Sequence, residues 1–359
     1  MKKWSLYIGS YFGIKVLIHW TFWIIIGWIF MLHLNKGHGW EAGITGVLFI
    51  LALFACVVLH EFGHALTAKK YGIPTRNITL YPIGGVASLN KMPDKPIQEL
   101  AVALAGPAVN IVIAGVLYVF LSSTNQLLPI SEMNNMSGDN FWFNLMVANA
   151  ILAIFNLIPA FPMDGGRVLR ALLAFNMDKL KATTIAARVG QFLAIVFVFL
   201  GFFTNFWLVF IGLFIYLGAG AEAIQESFKS KLIGYVVKDI LIKKFTLLSP
   251  TETVENALKQ LQTSPEEGFL IAENKQVLGI LTRKELITEL SVNKDATSVF
   301  EVMQKEFIKL NPEMPLYEAY QQLIISKTTI APVFEHQQLI GVIYAKSINE
   351  LIVINNKRH

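Results

Sequence analysis

The sequence predicts a polytopic α-helical membrane domain over residues 1–228, followed by a soluble α/β module over residues 229–359. Apolar residues make up 54% of the chain and the mean hydropathy is +0.52, which is too high for an ordinary soluble enzyme. Nearly all long apolar runs lie before residue 225, whereas residues 236–359 have a soluble composition. Basic and non-basic connections alternate between the runs, as the positive-inside rule requires.

This alternation predicts about six transmembrane helices in the cell (plasma or inner) membrane, with the lipid bilayer around them and both termini in the cytoplasm. The formal net charge of +5 is explained by these basic loops, so we expect no nucleic-acid partner. Cys56 is the single cysteine, which excludes an intrachain disulfide.

The first span is expected over residues 14–34, because an apolar run of about twenty residues crosses the hydrocarbon core. The Met-Lys-Lys start resembles a signal peptide, but no small-residue cleavage site follows, so we expect an uncleaved span. His19 lies near its cytoplasmic end. It either reaches a metal site or donates to a backbone carbonyl, and the sequence does not choose.

The second span, residues 43–68, ends in the pattern H-E-F-G-H at residues 60–64. His60 and His64 are four residues apart, so on a helix they share one face and fill two corners of a zinc site. Glu61 lies beside the metal, where a carboxylate can take a proton from an activated water. Ionisable groups at this depth are costly, which favours a metal-dependent hydrolase over chance polar residues.

Residues 71–90 break the helical pattern and predict a β-hairpin. Residues 73–80 and 86–89 are the expected strands, with Gly84-Gly85 as the turn. An exposed strand edge beside the site could pair with an extended substrate peptide, and the alternative is a plain surface hairpin.

The third span covers residues 97–121, where Asn110 is expected to serve helix packing. The fourth begins near Trp142 and is broken by two prolines and two glycines. Irregular backbone inside a membrane requires surrounding protein or a water-filled cavity. Asp164 follows these prolines and is the natural third zinc ligand, leaving a fourth position open. Asn156 precedes them and could hold the substrate backbone or a developing oxyanion.

The last two spans, residues 183–204 and 205–224, carry charge only near their cytoplasmic ends. They serve either as scaffold or as a substrate gate.

The two polar motifs together resemble the site-2 protease family of intramembrane zinc metalloproteases. The matching residues are H-E-F-G-H at 60–64 and N-L-I-P-A-F-P-M-D-G-G-R at 156–167, and the resemblance covers roughly residues 10–225. The segment around Gly84-Gly85 resembles the membrane-associated hairpin of that family. No inserted PDZ-like domain is recognisable, which is typical of its compact branch.

The resemblance implies a role for each motif residue. His60, His64 and Asp164 would bind Zn²⁺, and Glu61 would be the general base. Asn156 would contact the substrate near the scissile bond.

The tail resembles a pair of cystathionine-β-synthase-like (CBS) motifs, at residues 237–290 and 299–352. Each is expected to fold as strand–helix–strand–strand–helix. In such modules a Thr before a helix and an acidic residue three later bind an adenine nucleotide, and Thr282 and Glu285 fit this pattern.

The second motif departs from the pattern, with Tyr344 and Ser347 at the matching positions. The module therefore either senses a nucleotide or is purely structural, and it could join two copies of the chain as a homodimer.

Taken with the resemblance, these residues predict a zinc endopeptidase that cleaves transmembrane segments of membrane proteins in regulated intramembrane proteolysis, modulated by the CBS pair. The alternative is a metal or ion transporter with a nucleotide-sensing CBS tail, because intramembrane His and Asp also occur on ion pathways. Transporters often repeat their halves, and neither motif has a second copy here.

Overall fold

The chain forms two compact units, Met1–Ile224 and Gln225–His359, in the computed structural model. The sequence predicts this boundary after residue 228. The structure describes residues 5–35, 39–82, 84–89, 92–128, 140–264, 266–274, 276–292 and 298–356.

The first unit is built from apolar helices, as the sequence predicts. Within the described residues, four helices are long and apolar enough to cross a membrane: α2 (Gly39–Lys70), α3 (Pro96–Ser123), α6 (Lys179–Phe203) and α7 (Trp207–Leu232). Two further apolar helices are shorter: α1 (Phe22–Asn35) and α4 (Phe141–Asn156). At 1.5 Å per residue they extend only about 21 and 24 Å, less than a hydrocarbon core of about 30 Å.

A four-stranded sheet packs beside these helices in the order β1-β2-β3-β4. Its strands are β1 (Ser5–Tyr11), β2 (Ile14–His19), β3 (Thr75–Tyr81) and β4 (Gly84–Leu89). The outer pairs are antiparallel and the central pair, β2 with β3, is parallel. Consequently β1 and β4 are the two edges of the sheet.

The first predicted span is wrong at its start, because residues 14–19 form strand β2 instead of helix. Phe12 and Gly13 adopt positive φ angles of 54° and 85°, which reverses the chain tightly between β1 and β2. Along β2, Ile14 and Val16 are buried while Lys15 is exposed. This period of two is typical of a strand, and it lies within an apolar run whose length alone predicts a membrane helix.

The predicted hairpin is present, but Gly84 and Gly85 lie in β4 instead of the turn. The reason is close packing against α2. A Cβ atom on Gly85 would lie 2.9 Å from Cγ of Glu61 and 3.1 Å from a methyl of Val57. Only a residue without a side chain allows the strand backbone to approach α2 this closely.

The fourth predicted span is interrupted, and its second part is the short helix α5 (Asp164–Leu173). A buried ion pair anchors α5. Arg170 is 2% exposed and donates to Glu99 of α3 at 2.6 Å and to Glu222 of α7 at 2.5 Å. Breaking a buried pair costs about 3–5 kcal/mol, so this contact fixes the position of the first residue of α5.

The second unit contains two successive α/β motifs. The first has β5 (Leu247–Leu248), α8 (Val254–Thr263), β6 (Gly268–Glu273), β7 (Gln276–Thr282) and α9 (Arg283–Val292). The second has α10 (Val299–Val302), α11 (Leu316–Ser326), β8 (Ile330–Glu335), β9 (Gln338–Tyr344) and α12 (Ala345–Asn356).

The two motifs share an apolar core but differ in their first strand. In the first motif β5 pairs in parallel with β6, whereas in the second a single bridge joins Leu310 to Val333. Leu270 and Ile280 of the first motif pack against Ile330 of the second, which joins the motifs into one module.

Candidate metal centre

Two buried imidazoles of α2 lie close together in the first unit, with their ring centroids 4.7 Å apart. His60 and His64 are 7% and 4% exposed, and their Nε2 atoms are 3.1 Å apart. The four-residue spacing places both rings on one helix face, as the sequence predicts.

Asp164 reaches this pair from the first residue of α5. Its Oδ2 lies 3.2 Å from Nε2 of His60 and 3.0 Å from Nε2 of His64. A tetrahedral zinc ion with bonds of about 2.0–2.1 Å separates its ligand atoms by about 3.3 Å. The three atoms therefore have nearly the spacing of one face of a zinc coordination sphere, and two His with one carboxylate leave a fourth position open.

Gly106 of α3 provides the space in front of the two rings. A Cβ atom at this position would lie 2.2 Å from Nε2 of His64 and 2.6 Å from Nε2 of His60. These are the atoms that would bind the ion. The missing side chain is therefore a second, independent observation that the residues fit a metal.

The opposite nitrogen of each ring is held from behind. Nδ1 of His64 lies 2.7 Å from the carbonyl oxygen of Val102. Nδ1 of His60 lies 2.5 Å from Oδ1 of Asn110. A carbonyl oxygen only accepts, so Nδ1 of His64 carries the proton and its Nε2 presents a lone pair.

Glu61 lies beside the cluster and against the sheet. Its side chain is partly buried, and strand β4 passes over it at Gly85. The side chain of Glu61 therefore lies against the edge strand β4. Arg167 is the last residue of the second motif, to which the sequence assigns no role, and it approaches Oδ1 of Asp164 at 3.5 Å.

Cys56, the single cysteine, and His19 lie outside this cluster. Cys56 is buried against Phe49 and Leu145. Among the described residues, the cluster of possible metal ligands consists of His60, His64 and Asp164 and does not include Cys56. His19 is likewise outside the cluster of described ligand atoms, and its Nδ1 lies 2.7 Å from the hydroxyl oxygen of Thr21.

Asn156 is the last residue of α4 and is partly buried. Among the hydrogen bonds described for the chain, none joins it to the three candidate ligands. It lies at the end of the helix, before the irregular segment that leads to Asp164.

In the second unit, Thr282 ends β7 and Glu285 lies in the first turn of α9. The backbone N–H of Thr282 donates to Glu285 at 3.0 Å, its hydroxyl donates to the same oxygen, and Gln304 donates to the other oxygen at 2.8 Å. Burial alone would raise the pKa of the Glu285 carboxyl, but these hydrogen bonds lower it below its ordinary value.

Tyr344 occupies the matching position at the end of β9. Its ring is buried in the core that joins the two motifs, and its hydroxyl has no partner among the described residues. Burial, and the charges of Glu266 and Glu267, raise the pKa of this phenol. The two strand ends are therefore chemically different, as the sequence indicates.

Both units match models of known protein families. The model of peptidase family M50 matches residues 48–129 and 123–198, and the CBS domain model matches residues 237–292 and 299–354. A zinc metalloprotease of Methanocaldococcus jannaschii is 33% identical over 315 residues, which is 84% of this chain and 88% of that protein.

The chain belongs to peptidase family M50. It is a membrane zinc metalloprotease of the site-2 protease type with a CBS pair at its C-terminal end. A relative in Synechocystis is 31% identical over 88% of this chain and 86% of its own length. The solved site-2 protease from Methanocaldococcus jannaschii covers 61% of this chain and 95% of its own, with 37% identity and a TM-score of 0.46.

The Gly106 space yields a direct prediction for this M50 protein. Gly106→Ala should reduce the zinc content of the purified protein roughly tenfold or more, because its methyl group occupies the metal position. Gly115→Ala on the same helix is the matched control, since a Cβ there meets nothing within 4 Å. Zinc per chain is measured by mass spectrometry of the metal. Full zinc in Gly106→Ala would show that the ion does not bind between these rings.

Proposed function

We propose that the chain hydrolyses peptide bonds within the membrane, with Zn²⁺ held by His60, His64 and Asp164. The observation that carries this proposal is the convergence of three buried ligand atoms within 3.0–3.2 Å of one another, in front of a glycine. Zinc, when bound, lowers the pKa of a coordinated water and polarises a carbonyl group.

Glu61 is proposed as the general base and then the general acid. It follows His60 directly on α2, so its carboxyl group lies at the side of the ligand set instead of within it. In this role it takes a proton from the attacking water and passes it to the leaving amine. Asn156 is proposed to hold the substrate carbonyl by hydrogen bonding.

The proposed substrate is a transmembrane segment of another membrane protein. A helix encloses its own peptide bonds, so such a segment must become extended before hydrolysis. Strand β4 is an edge of the sheet and crosses Glu61 at Gly85, where an extended peptide pairing with its free side would be guided past the carboxylate.

We further propose that the protein spans the cell membrane several times with both termini in the cytoplasm. The alternation of basic and non-basic connections supports this orientation. Membership of a peptidase family favours hydrolysis over the alternative of a metal or ion transporter. Zinc uptake into sealed vesicles containing the protein would contradict this choice.

The CBS pair is proposed to sense an adenine nucleotide through Thr282 and Glu285, and to offer a surface for homodimer formation. A carboxylate with a lowered pKa stays ionised and can accept hydrogen bonds from ribose hydroxyls. The buried ring of Tyr344 makes the second strand end a poor counterpart. Crosslinking of full-length protein in vesicles tests the dimer, which is wrong if only monomers are recovered.

Glu61→Gln separates hydrolysis from zinc binding. The variant should retain one zinc per chain and lose about 10²–10⁴-fold in cleavage rate, because an amide cannot accept the proton. Cleavage is measured on single-span membrane proteins in proteoliposomes. Full activity of Glu61→Gln would refute the proposed mechanism.

Asn156→Ala should keep one zinc per chain and lose roughly 10²-fold in cleavage rate in the same assay, because the substrate carbonyl loses its hydrogen bond.

Proline scanning tests the edge of β4. Successive residues of a strand direct their N–H groups to opposite sides, so one of Val86→Pro and Ala87→Pro removes a donor from the free edge. That variant should cleave at least about tenfold more slowly while remaining folded. Ile8→Pro is the control on the opposite edge, at a bulge that leaves Ile8 outside the pairing register. Unchanged cleavage in both folded β4 variants rules out substrate pairing there.

Calorimetric titration with AMP and ATP tests the CBS proposal on the full-length protein. One nucleotide should bind per chain, and Glu285→Ala should weaken binding by about tenfold, since the ribose hydroxyls lose their acceptor. Ser347→Ala at the matching position of the second motif should leave the affinity unchanged. Equal losses in both variants, or no binding at all, would contradict the assignment.

A further inference from the structure

Two buried asparagines stand behind His60, on the side away from Asp164. Asn110 of α3 and Asn149 of α4 are both 0% exposed. Nδ2 of Asn110 donates to Oδ1 of Asn149 at 2.8 Å, and Nδ2 of Asn149 donates to the carbonyl oxygen of Leu145 at 2.8 Å. Together with the 2.5 Å contact between Asn110 and Nδ1 of His60, these contacts form one continuous series of hydrogen bonds.

The donor and acceptor in each of these hydrogen bonds are determined by the last one, at the carbonyl oxygen of Leu145. The carbonyl oxygen of Leu145 can only accept, so the amide nitrogen of Asn149 must face it. The amide oxygen of Asn149 then faces Asn110, which must present its own nitrogen in return. The oxygen of Asn110 is left for His60, and it can only accept from a protonated Nδ1.

We infer that Asn149 is a positioning residue of the metal centre, which sets the tautomer of His60 through Asn110. With its proton on Nδ1, His60 directs the lone pair of Nε2 towards His64 and Asp164. This inference rests on the proposed ligand set. It assigns a role to a residue that lies two hydrogen bonds away from the imidazole.

The tautomer of His60 depends on this relay, the two hydrogen bonds that link Asn149 through Asn110 to Nδ1. The tautomer of His64 does not depend on any such relay. The partner of His64 is the main-chain carbonyl of Val102, which has no alternative orientation. An asparagine amide can rotate by half a turn and offer its nitrogen in place of its oxygen. If Asn110 did so, Nδ1 of His60 would have to accept, and the proton would move to Nε2, where it blocks metal binding.

A packing role is the competing explanation, because asparagines often join neighbouring membrane helices by hydrogen bonds. A packing role requires only a hydrogen bond between α3 and α4. It does not depend on whether the oxygen or the nitrogen of the Asn110 amide faces His60. The tautomer role depends on that orientation. A side chain whose two ends are identical therefore distinguishes the two explanations.

The experiment measures zinc affinity of the purified full-length protein by chelator competition, without reference to proteolysis. Asn149→Leu leaves the Asn110 amide free to rotate and should weaken zinc binding by about 10–100-fold, as loss of an outer hydrogen-bond partner does. Asn144→Leu is the control, a buried asparagine of the same helix. It should keep the wild-type affinity.

A second variant that restores zinc affinity distinguishes the tautomer role from the packing role. Combining Asn149→Leu with Asn110→Asp should restore zinc affinity, because either oxygen of a carboxylate accepts from Nδ1 of His60. The Co²⁺ form of the double variant should also regain the wild-type absorption spectrum. A packing role predicts the reverse, since the double variant removes the link to α4 and buries an additional charge.

Wild-type zinc affinity in Asn149→Leu, or a double variant as weak as the single one, overturns the inference. If Asn149→Leu does not fold, the comparison of Asn110→Leu with the nearly isosteric Asn110→Asp decides, and equal affinities overturn it. His60→Ala separates this result from the ligand proposal. Unchanged zinc affinity in that variant refutes the ligand set itself, whereas a loss there with no effect of Asn149→Leu refutes only the relay.

Discussion

The meeting of two imidazoles and a carboxylate inside an apolar helical unit is the contact on which the first unit depends. Buried polar groups without partners are costly, so every one of these side chains must be held. His60 and His64 are held from behind by α3, and Asp164 is held at the start of α5. The same helix α3 supplies Gly106, whose missing side chain leaves room for an ion. The proposed zinc site and the packing of α2 against α3 are therefore parts of one arrangement.

The position of Asp164 depends on a second polar contact deeper in the unit. Arg170 lies on the same short helix and is buried between Glu99 and Glu222, with its guanidinium 5.1 Å from the ring of Phe161. A helix of ten residues has little stability of its own. Its ion pairs to α3 and α7 orient it, and through it they orient the carboxylate of the proposed ligand set.

Much of this arrangement can be predicted from the sequence, because it follows from local periodicity. The spacing of His60 and His64 on a helix, and the helix break before Asp164, are local features. Strand β2 escaped prediction because its period of two lies within an apolar run of membrane length. The position of Gly85 inside β4 depends on how closely a strand approaches α2, and the sequence does not encode that distance in any local pattern.

The hydrogen bonds of Asn110 and Asn149, and the roles proposed for them, mark the limit of sequence reasoning. The sequence predicts only a packing role for Asn110 and gives no signal for Asn149, because their hydrogen-bond partners depend on which helices are neighbours. The CBS pair shows the opposite case, where one position differs visibly in the sequence. Tyr344 in place of a threonine already indicates that the two strand ends are not equivalent, and the structure adds that its ring belongs to the core joining the motifs.

X-ray absorption at the zinc edge of the purified full-length protein tests the central claim most directly. The account predicts nitrogen and oxygen scatterers at about 2.0–2.1 Å, with the outer-shell pattern of two imidazoles. A sulfur scatterer at about 2.3 Å would contradict it. Such a signal would require Cys56, the single cysteine, to bind the ion in place of Asp164, the proposed ligand.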